Sequence, residues 1–490
     1  MRKMMILNLL LAVGSLMSCH RDGLLEPEVP GYFIVDGDTV KIRQDVKNMD
    51  ALKKSKYLRG RIIYGDTVVA YIPASLHTPP EKAVNLEQLK SPNNEYLKGK
   101  PFRYIAYGGS ITAGVRDGGY FNEGMETSYP NLIARQLGIK DFVLPKFENN
   151  DYNGFGRLVL SSKNYTGGPV LKFNISTNNS GVDTNVEKQV TLRPAGSTQA
   201  ICNWGVPFST RWEAREHFGR GEFQPFAERL DYQNNKPLSK QGDLITMEHG
   251  FSDMIAYLTG AKDQNITDFM NGYPWGAASI QEEAIAILYN TKGQDVDKRR
   301  FMFCVFNVPD ILDLPILHYI TSADVEKSLL FGKEIVFRDY KPDELVWYPN
   351  PTLDSLMGKN VSMALKDGIL KRHERGEKGI GRQSVYLLKN SNYFQGVNAY
   401  NDLILKLSKE YSFPIIDMKS MYSRIRKGEY VTHDGIKVEF RYPAGNFYSL
   451  DGIHPTAFGQ AVIANEVIST LNKYYKIQIP LIPTKDYLKR

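Results

Sequence analysis

Short apolar runs, separated by turns and by helix-like segments, dominate the chain beyond residue 100. Five of these runs lack the apolar–polar alternation of a half-exposed strand, so we expect strands buried on both faces of a sheet. The runs are Tyr104–Tyr107, Ala200–Val206, Asp243–Glu248, Phe301–Val308 and Pro414–Met418.

Helical patterns lie between some of these runs. Tyr129–Leu137 follows the first run, and Tyr400–Tyr411 precedes the fifth. A terminal helix is marked at helical spacing by Phe458, Val462, Asn465, Ile468 and Leu471, with Asn465 as the polar break. Strands that alternate with helices predict a parallel α/β sheet with both faces covered.

The first residues have the pattern of an export signal. Arg2 and Lys3 precede an apolar stretch of 14 residues, Met4–Met17, which is too short for a bilayer that needs about 20. The stretch leads into Cys19 and resembles a bacterial lipobox, although an ordinary signal peptide holding a cysteine is an alternative. We therefore predict a lipoprotein signal peptide over residues 1–18 and lipidation of Cys19. The protein is then expected at the cell envelope, anchored in the outer membrane or at the cell surface.

The remainder divides in two. Residues 19–98 are predicted to form a tether and a small β-rich region. Apolar and polar residues alternate in part of this segment, and a stretch rich in Pro, Asn and Lys follows and marks its end. Residues 99–490 are predicted to form the main domain. Insertions at about 140–197 and 310–389 interrupt the alternation of strands and helices in this domain and are expected beside the active face.

Composition and charge exclude some classes. With 42% hydrophobic and 23% charged residues, the chain can form a packed core. A net charge of +7 over 490 residues is a weak field and does not favour nucleic acid as a partner. Cys202 and Cys304 sit inside apolar runs, so we expect buried, inert thiols rather than a disulfide.

The first candidate for chemistry follows the first apolar run. Gly108 and Gly109 let the backbone turn sharply and leave Ser110 at the carboxyl end of the strand, where open α/β sheets build their sites. A serine hydroxyl needs a neighbouring base to act as a nucleophile. A glycine turn with a capping serine is the alternative.

The second candidate lies near the end of the chain. Asp451 precedes His454 by three positions across a glycine, a spacing that lets the carboxylate hold one imidazole nitrogen. Pro455 suits the first turn of a helix, which predicts His454 at the junction of a loop and a helix.

The order of these blocks resembles the SGNH, or GDSL-type, hydrolase family between Phe102 and Tyr475, with the insertions left out. The similar blocks are Gly108-Gly109-Ser110-Ile111, Asn203-Trp204-Gly205-Val206-Pro207, Asp243–Asp253, Asn307-Val308-Pro309-Asp310 and Asp451-Gly452-Ile453-His454-Pro455. The resemblance implies a three-layer α/β/α, flavodoxin-like fold with a parallel sheet. It also implies hydrolysis of carboxylic esters.

In that family the nucleophile, base and orienting acid match Ser110, His454 and Asp451. The oxyanion-hole donors match the N–H groups of Ser110 and Gly205, while Ser252 stands where the family has an asparagine. A serine hydroxyl is shorter than an asparagine amide, and loss of one such donor costs a factor of about 10²–10³ in rate. His249 is a candidate replacement donor or a structural residue. Gly109 replaces the family's aspartate at a position without a catalytic role.

Three functions follow as expectations. The first is an ester hydrolase acting on an acylated glycan, a lipid or a small ester through an acyl-enzyme, without a cofactor or a metal. The second is a weakened or inactive protein on the same scaffold that binds a glycan, which Ser252 motivates. The third is an acyltransferase, which uses the same acyl-enzyme but excludes water. No readable motif selects the substrate.

Overall fold

The computed structural model describes part of the chain. The described residues are 32–35, 38–41, 61–64, 67–70, 76–80, 84–146, 157–163, 169–174, 202–205, 207, 242–258, 301–315, 392–440, 445–449 and 451–488. The predicted signal peptide, Cys19 and most of the second predicted insertion lie outside these residues.

A four-stranded sheet precedes the main domain. Its strands are β1 (Tyr32–Val35), β2 (Asp38–Lys41), β3 (Arg61–Tyr64) and β4 (Thr67–Ala70), in the order β2-β1-β4-β3. The β1–β2 and β3–β4 pairs are antiparallel, while β1 and β4 are parallel.

The main domain contains a parallel sheet of five strands. In chain order its strands are β5 (Tyr104–Gly108), β8 (Asn203–Gly205), β9 (Leu244–Glu248), β10 (Met302–Phe306) and β11 (Ile415–Ile416). Their spatial order is β11-β10-β9-β5-β8, and every neighbouring pair is parallel. Every residue of β5, β9 and β10 is buried, as continuous apolar runs predict.

A separate antiparallel hairpin lies inside the first predicted insertion. It pairs β6 (Arg157–Lys163) with β7 (Pro169–Asn174), with an irregularity between Leu160 and Ser162. Neither strand joins the five-stranded sheet.

Eight α-helices are described. They are α1 (Leu86–Leu89), α2 (Ser110–Ala113), α3 (Asn122–Glu126), α4 (Tyr129–Gln136), α5 (Phe251–Leu258), α6 (Asn392–Tyr411), α7 (Met418–Arg426) and α8 (Ala457–Tyr475). Short 3₁₀ turns span Glu95–Leu97, Ile311–Asp313 and Thr484–Tyr487. The sheet and helices together form an α/β fold.

The terminal helix ties the core together. It packs against α4 and β11. The Tyr475 hydroxyl near its end donates to the Phe303 carbonyl and accepts from the Phe303 N–H, both at 2.9 Å. Asn465, the polar residue in the apolar pattern of this helix, forms two hydrogen bonds with the backbone of Ile482. Its amide donates to Ile482 O at 2.9 Å and accepts from Ile482 N at 2.8 Å.

Several boundaries differ from the predictions, and three of these differences concern the start of a helix. Met418 begins α7 rather than ending a strand, because the Asp417 carboxylate accepts from Ser420 N at 3.1 Å and caps that helix. The helix predicted over residues 400–411 begins earlier, at Asn392. Pro455 precedes α8, whose N-cap is Thr456, so the helix starts two residues later than the proline predicts.

Candidate active site

The turn that carries Ser110 is built by close contact between β5, β9 and α2. A Cβ on Gly108 would lie 2.1 Å from Thr112 Oγ1 and 2.6 Å from Glu248 O, so only glycine fits at this position. Ser110 is the first residue of α2 and is buried. The serine therefore lies at the carboxyl end of β5, as the sequence predicts.

Ser252 contacts Ser110 directly. It is the second residue of α5, which follows β9, the strand beside β5. The Ser110 N–H donates to Ser252 Oγ at 3.2 Å, and the two hydroxyl oxygens are also 3.2 Å apart. Ser252 thus accepts from the N–H group that the resemblance assigns to an oxyanion. A bound carbonyl oxygen would have to replace Ser252 at that N–H.

Asp451 and His454 form a tight pair. Asp451 Oδ2 lies 2.6 Å from His454 Nδ1, and its Oδ1 accepts from the His454 N–H at 2.8 Å. Because an ionised carboxylate can only accept, Nδ1 carries the proton and Nε2 is left as the basic nitrogen. The pair has the geometry of the base and orienting acid of a catalytic triad.

Three further donors fix the carboxylate. Ile453 N donates to Asp451 Oδ1 at 2.8 Å, Ser449 Oγ donates to the same atom at 3.0 Å, and Gly118 N donates to Oδ2 at 2.7 Å. Burial alone would raise the pKa of Asp451, but His454 and the N–H donors outweigh burial and lower it. The carboxylate therefore stays ionised at neutral pH and holds one imidazole tautomer.

Neighbouring residues connect the half of the site that contains Ser110 with the half that contains Asp451 and His454. The ring of Phe251, next to Ser252, lies edge-on to the His454 ring with centroids 5.9 Å apart. Gln460 on α8 donates to Ile111 O at 3.1 Å and accepts from Tyr129 N at 2.9 Å. The helix that follows His454 is thereby bonded to the helix that begins with Ser110.

Glu248 is a candidate functional residue that was not predicted from the sequence. Its Oε2 accepts from Gly109 N at 3.0 Å, from Thr112 N at 3.3 Å and from Thr112 Oγ1 at 3.2 Å. The pKa of Glu248 is raised to about 8, and burial is the main cause. The hydrogen bonds from Gly109 and Thr112 act in the opposite direction but do not cancel the effect of burial. A glutamate at the end of a strand that is predicted to be buried on both faces was the signal for it, since a charged side chain is seldom fully buried without a partner.

Gly205 packs on the other side of α2. A Cβ at Gly205 would lie 2.2 Å from Ala113 N, so any side chain would displace the helix. The Gly205 N–H donates to Asn203 Oδ1 at 2.9 Å. Its contribution to an oxyanion hole stays a prediction, and an oxyanion would compete with Asn203 for this N–H.

The remaining candidates occupy buried positions. His249 is buried, and its carbonyl accepts from the Tyr400 hydroxyl at 3.3 Å; a side-chain role as donor stays a prediction. Both body cysteines are buried, as expected, and burial raises the pKa of Cys202 and of Cys304. The thiols are therefore protonated and weakly reactive at neutral pH.

Two features are absent from the described residues. Within those residues, no group of three or more His, Cys, Asp and Glu side chains is placed to hold a metal ion. In the same part of the chain, no helix has the length and apolar character that crossing a membrane requires.

Comparison with known proteins gives no match: no family model, no curated protein and no solved structure matches this chain. A function for this chain is therefore inferred from its residues and from the geometry of the site.

Proposed function

We propose that this protein is a serine ester hydrolase of the SGNH type, with Ser110 as nucleophile, His454 as base and Asp451 as orienting acid. The observation that carries the proposal is the Asp451–His454 pair. Five hydrogen bonds hold the carboxylate and direct it to Nδ1 of the imidazole. A buried aspartate restrained in this way orients a catalytic histidine.

The topology supports the same proposal. Numbered one to five in chain order, the strands of the parallel sheet lie in the order 2-1-3-4-5. That is the order of flavodoxin-like folds, in which ligands bind at the carboxyl ends of the strands where the order reverses. Ser110 follows β5 and Ser252 follows β9, the two strands at this reversal.

The proposed reaction proceeds in two halves. His454 Nε2 takes the Ser110 proton while Oγ attacks the ester carbonyl, and the Ser110 N–H binds the developing oxyanion in place of Ser252. Collapse expels the alcohol, which receives the proton from His454, and leaves an acyl-enzyme. Water, deprotonated by His454, then attacks this ester, releases the acid and restores Ser110.

The location and substrate belong to the proposal. The lipobox-like segment ending at Cys19 supports a lipid anchor at the bacterial cell envelope, with an acylated glycan, a lipid or a small ester as substrate. The observation that favours the alternative, a glycan-binding protein with little or no activity, is the contact of Ser252 with both the N–H and the hydroxyl of Ser110.

A fluorophosphonate probe tests the proposal. We expect the probe to modify Ser110, because only a serine activated by a base reacts at a useful rate. Ser110→Ala should remove the adduct and His454→Ala should slow its formation by about 10³-fold or more. The adduct is located by mass spectrometry of the digested protein.

Matched controls are Ser408→Ala and His433→Ala, which remove the same side chains outside the candidate site. Ser408 donates to Phe413 O, and His433 lies near Asp434 and Asn465. Both variants should label like the wild type. A folded wild-type protein that does not react would refute the hydrolase and favour the binding protein, which a glycan screen would then examine.

A further inference from the structure

Glu248 contacts the nucleophile turn on both sides of Ser110. Its Oε2 accepts from Gly109 N, one residue before Ser110, and from Thr112 N, two residues after it. Thr112 Oγ1 also donates to the same oxygen. The hydroxyl and N–H of Ser110 are therefore placed by a carboxyl group on the neighbouring strand.

The other carboxyl oxygen has a different environment. Within the described residues, Glu248 Oε1 has no hydrogen-bond partner and is shielded from solvent, and the same is true of the Tyr422 hydroxyl. Because Oε2 already accepts from three donors, a proton on this carboxyl would reside on Oε1. The geometry thus suits the neutral acid better than a carboxylate, whose Oε1 would be a buried anionic oxygen that accepts no hydrogen bond.

Among the residues that the structure describes, no positively charged side chain lowers the pKa of Glu248 and so favours its ionisation. Its titratable surroundings are Asp253 on α5, Tyr129 on α4, Tyr422 on α7 and, near Tyr422, the Asp451–His454 pair. Its register partner on β5 is Gly108, and Val305 on β10 pairs with the preceding residue, Met247. Asp253 raises the pKa of Glu248 further, after burial as the main cause.

We infer that Glu248 is a positioning residue for Ser110 that works as a neutral acid, and that its ionisation switches the nucleophile off. This inference rests on the proposed hydrolase function. A carboxylate under the first turn of α2 would repel the negative charge that develops at the Ser110 N–H during attack. In a buried site such repulsion is only weakly screened.

The direction with pH follows from the protonation states. Below about pH 8 the folded protein carries the neutral Glu248, and above it the buried carboxylate forms. The rate of probe labelling and of ester turnover should therefore fall as pH rises through about 8. Stability should fall over the range from the ordinary glutamate pKa, about 4.3, up to that value, because the unfolded chain ionises first.

The decisive experiment compares Glu248→Gln with Glu248→Ala across pH 6 to 10. Gln keeps an acceptor for Gly109 and Thr112 but cannot ionise, so the alkaline fall should disappear and the neutral rate should decrease less than in the alanine variant. Loss of the contact in Glu248→Ala should slow labelling about 10- to 100-fold, as misplacement of a reacting group does. Asp243→Asn is the matched control, since this carboxyl lies at the other end of the same run, accepts from Arg103 N and should keep the alkaline fall.

Three outcomes overturn the inference, two in labelling and one in stability. An alkaline fall that persists unchanged in Glu248→Gln excludes Glu248 as the group responsible, and labelling of Glu248→Ala at the wild-type rate excludes positioning. Thermal unfolding of wild type and Glu248→Gln over the same pH range gives a measurement, the melting temperature, that does not depend on catalysis. The melting temperature of the variant should rise relative to wild type as pH increases, and a constant difference would show that Glu248 is not the neutral acid. A wild type that never labels, but shows this shift, would refute the hydrolase function and leave the protonation state of Glu248 established.

Discussion

The two halves of the candidate site are held in opposite ways. The proposed acid and base lie in one short loop, where Asp451 accepts from the N–H groups of Ile453 and His454, two and three positions later. Ser110 instead depends on Glu248 and Ser252, which are separated in the sequence from their partners Gly109 and Ser110 by 139 and 142 positions. The base loop is fixed mainly by its own sequence, whereas the nucleophile turn is fixed by a neighbouring strand.

Because of this difference, we expect substitutions in the two halves of the site to affect activity in different ways. A change in the base loop removes an interaction among adjacent residues and should affect chemistry directly. A change on β9 or α5 acts on Ser110 across the sheet and should alter its reactivity while Asp451 and His454 stay paired. The following substitutions test that distinction, beginning with the largest expected effect.

Asp451→Asn should be the most damaging change. An amide can present a donor to His454 Nδ1 and so favours the wrong imidazole tautomer, which costs a factor of about 10⁴ in triads of this kind. The rate of fluorophosphonate labelling measures the loss, and circular dichroism checks the fold. Asp434→Asn, which alters a carboxylate bonded to Thr432 and Lys485, is the control and should label normally. Equal rates in the two variants would remove Asp451 from the mechanism.

Ser252→Asn should act in the opposite direction. An asparagine amide offers an N–H to the oxyanion, whereas the Ser252 hydroxyl accepts from Ser110 N in the structure. We expect turnover of a simple aryl ester to increase by about 10²-fold, the typical value of one such donor. Ser252→Ala removes the hydroxyl without adding a donor and should not reproduce the gain. If both variants gain equally, relief of the Ser252 contact rather than a new donor is responsible.

Gly118→Ala should have the smallest effect. Gly118 donates to Asp451 from a left-handed conformation with φ of 63°, which costs alanine about 1 kcal/mol. We expect that loss of stability in chemical denaturation and a decrease in rate of less than about tenfold. Gly138→Ala imposes a similar cost at φ of 73°, with open space for the Cβ, and should leave the rate unchanged. A larger rate loss would show that the turn at Gly118 controls Asp451 more strictly than its hydrogen bond suggests.

The same contrast explains what could be predicted from the sequence. The helix at residues 129–137 and the terminal helix are confirmed, because their apolar spacing reports directly on the face they bury. The Asp451–His454 contact was also predictable, since three positions across a glycine leave the carboxylate few other partners. Short-range patterns carry this kind of information.

Contacts across the sheet were not predictable in the same way. Nothing in the sequence near Ser110 indicates that Glu248 would bond to Gly109, because strand order and register decide which residues meet. The strand predicted over Pro414–Met418 was too long for a local reason, the cap that Asp417 provides for α7. Hydrophobicity alone does not detect a cap that interrupts an apolar run.

The bonds of Gln460 to Ile111 and Tyr129 also order events during synthesis. Gln460 and Ile111 are 349 positions apart. At typical rates of translation, Ser110 therefore leaves the ribosome on the order of half a minute before the helix that joins it to His454. During that interval the nascent chain carries Ser110 without the Asp451–His454 pair, so the two halves of the candidate site cannot be joined before Gln460 has been synthesised.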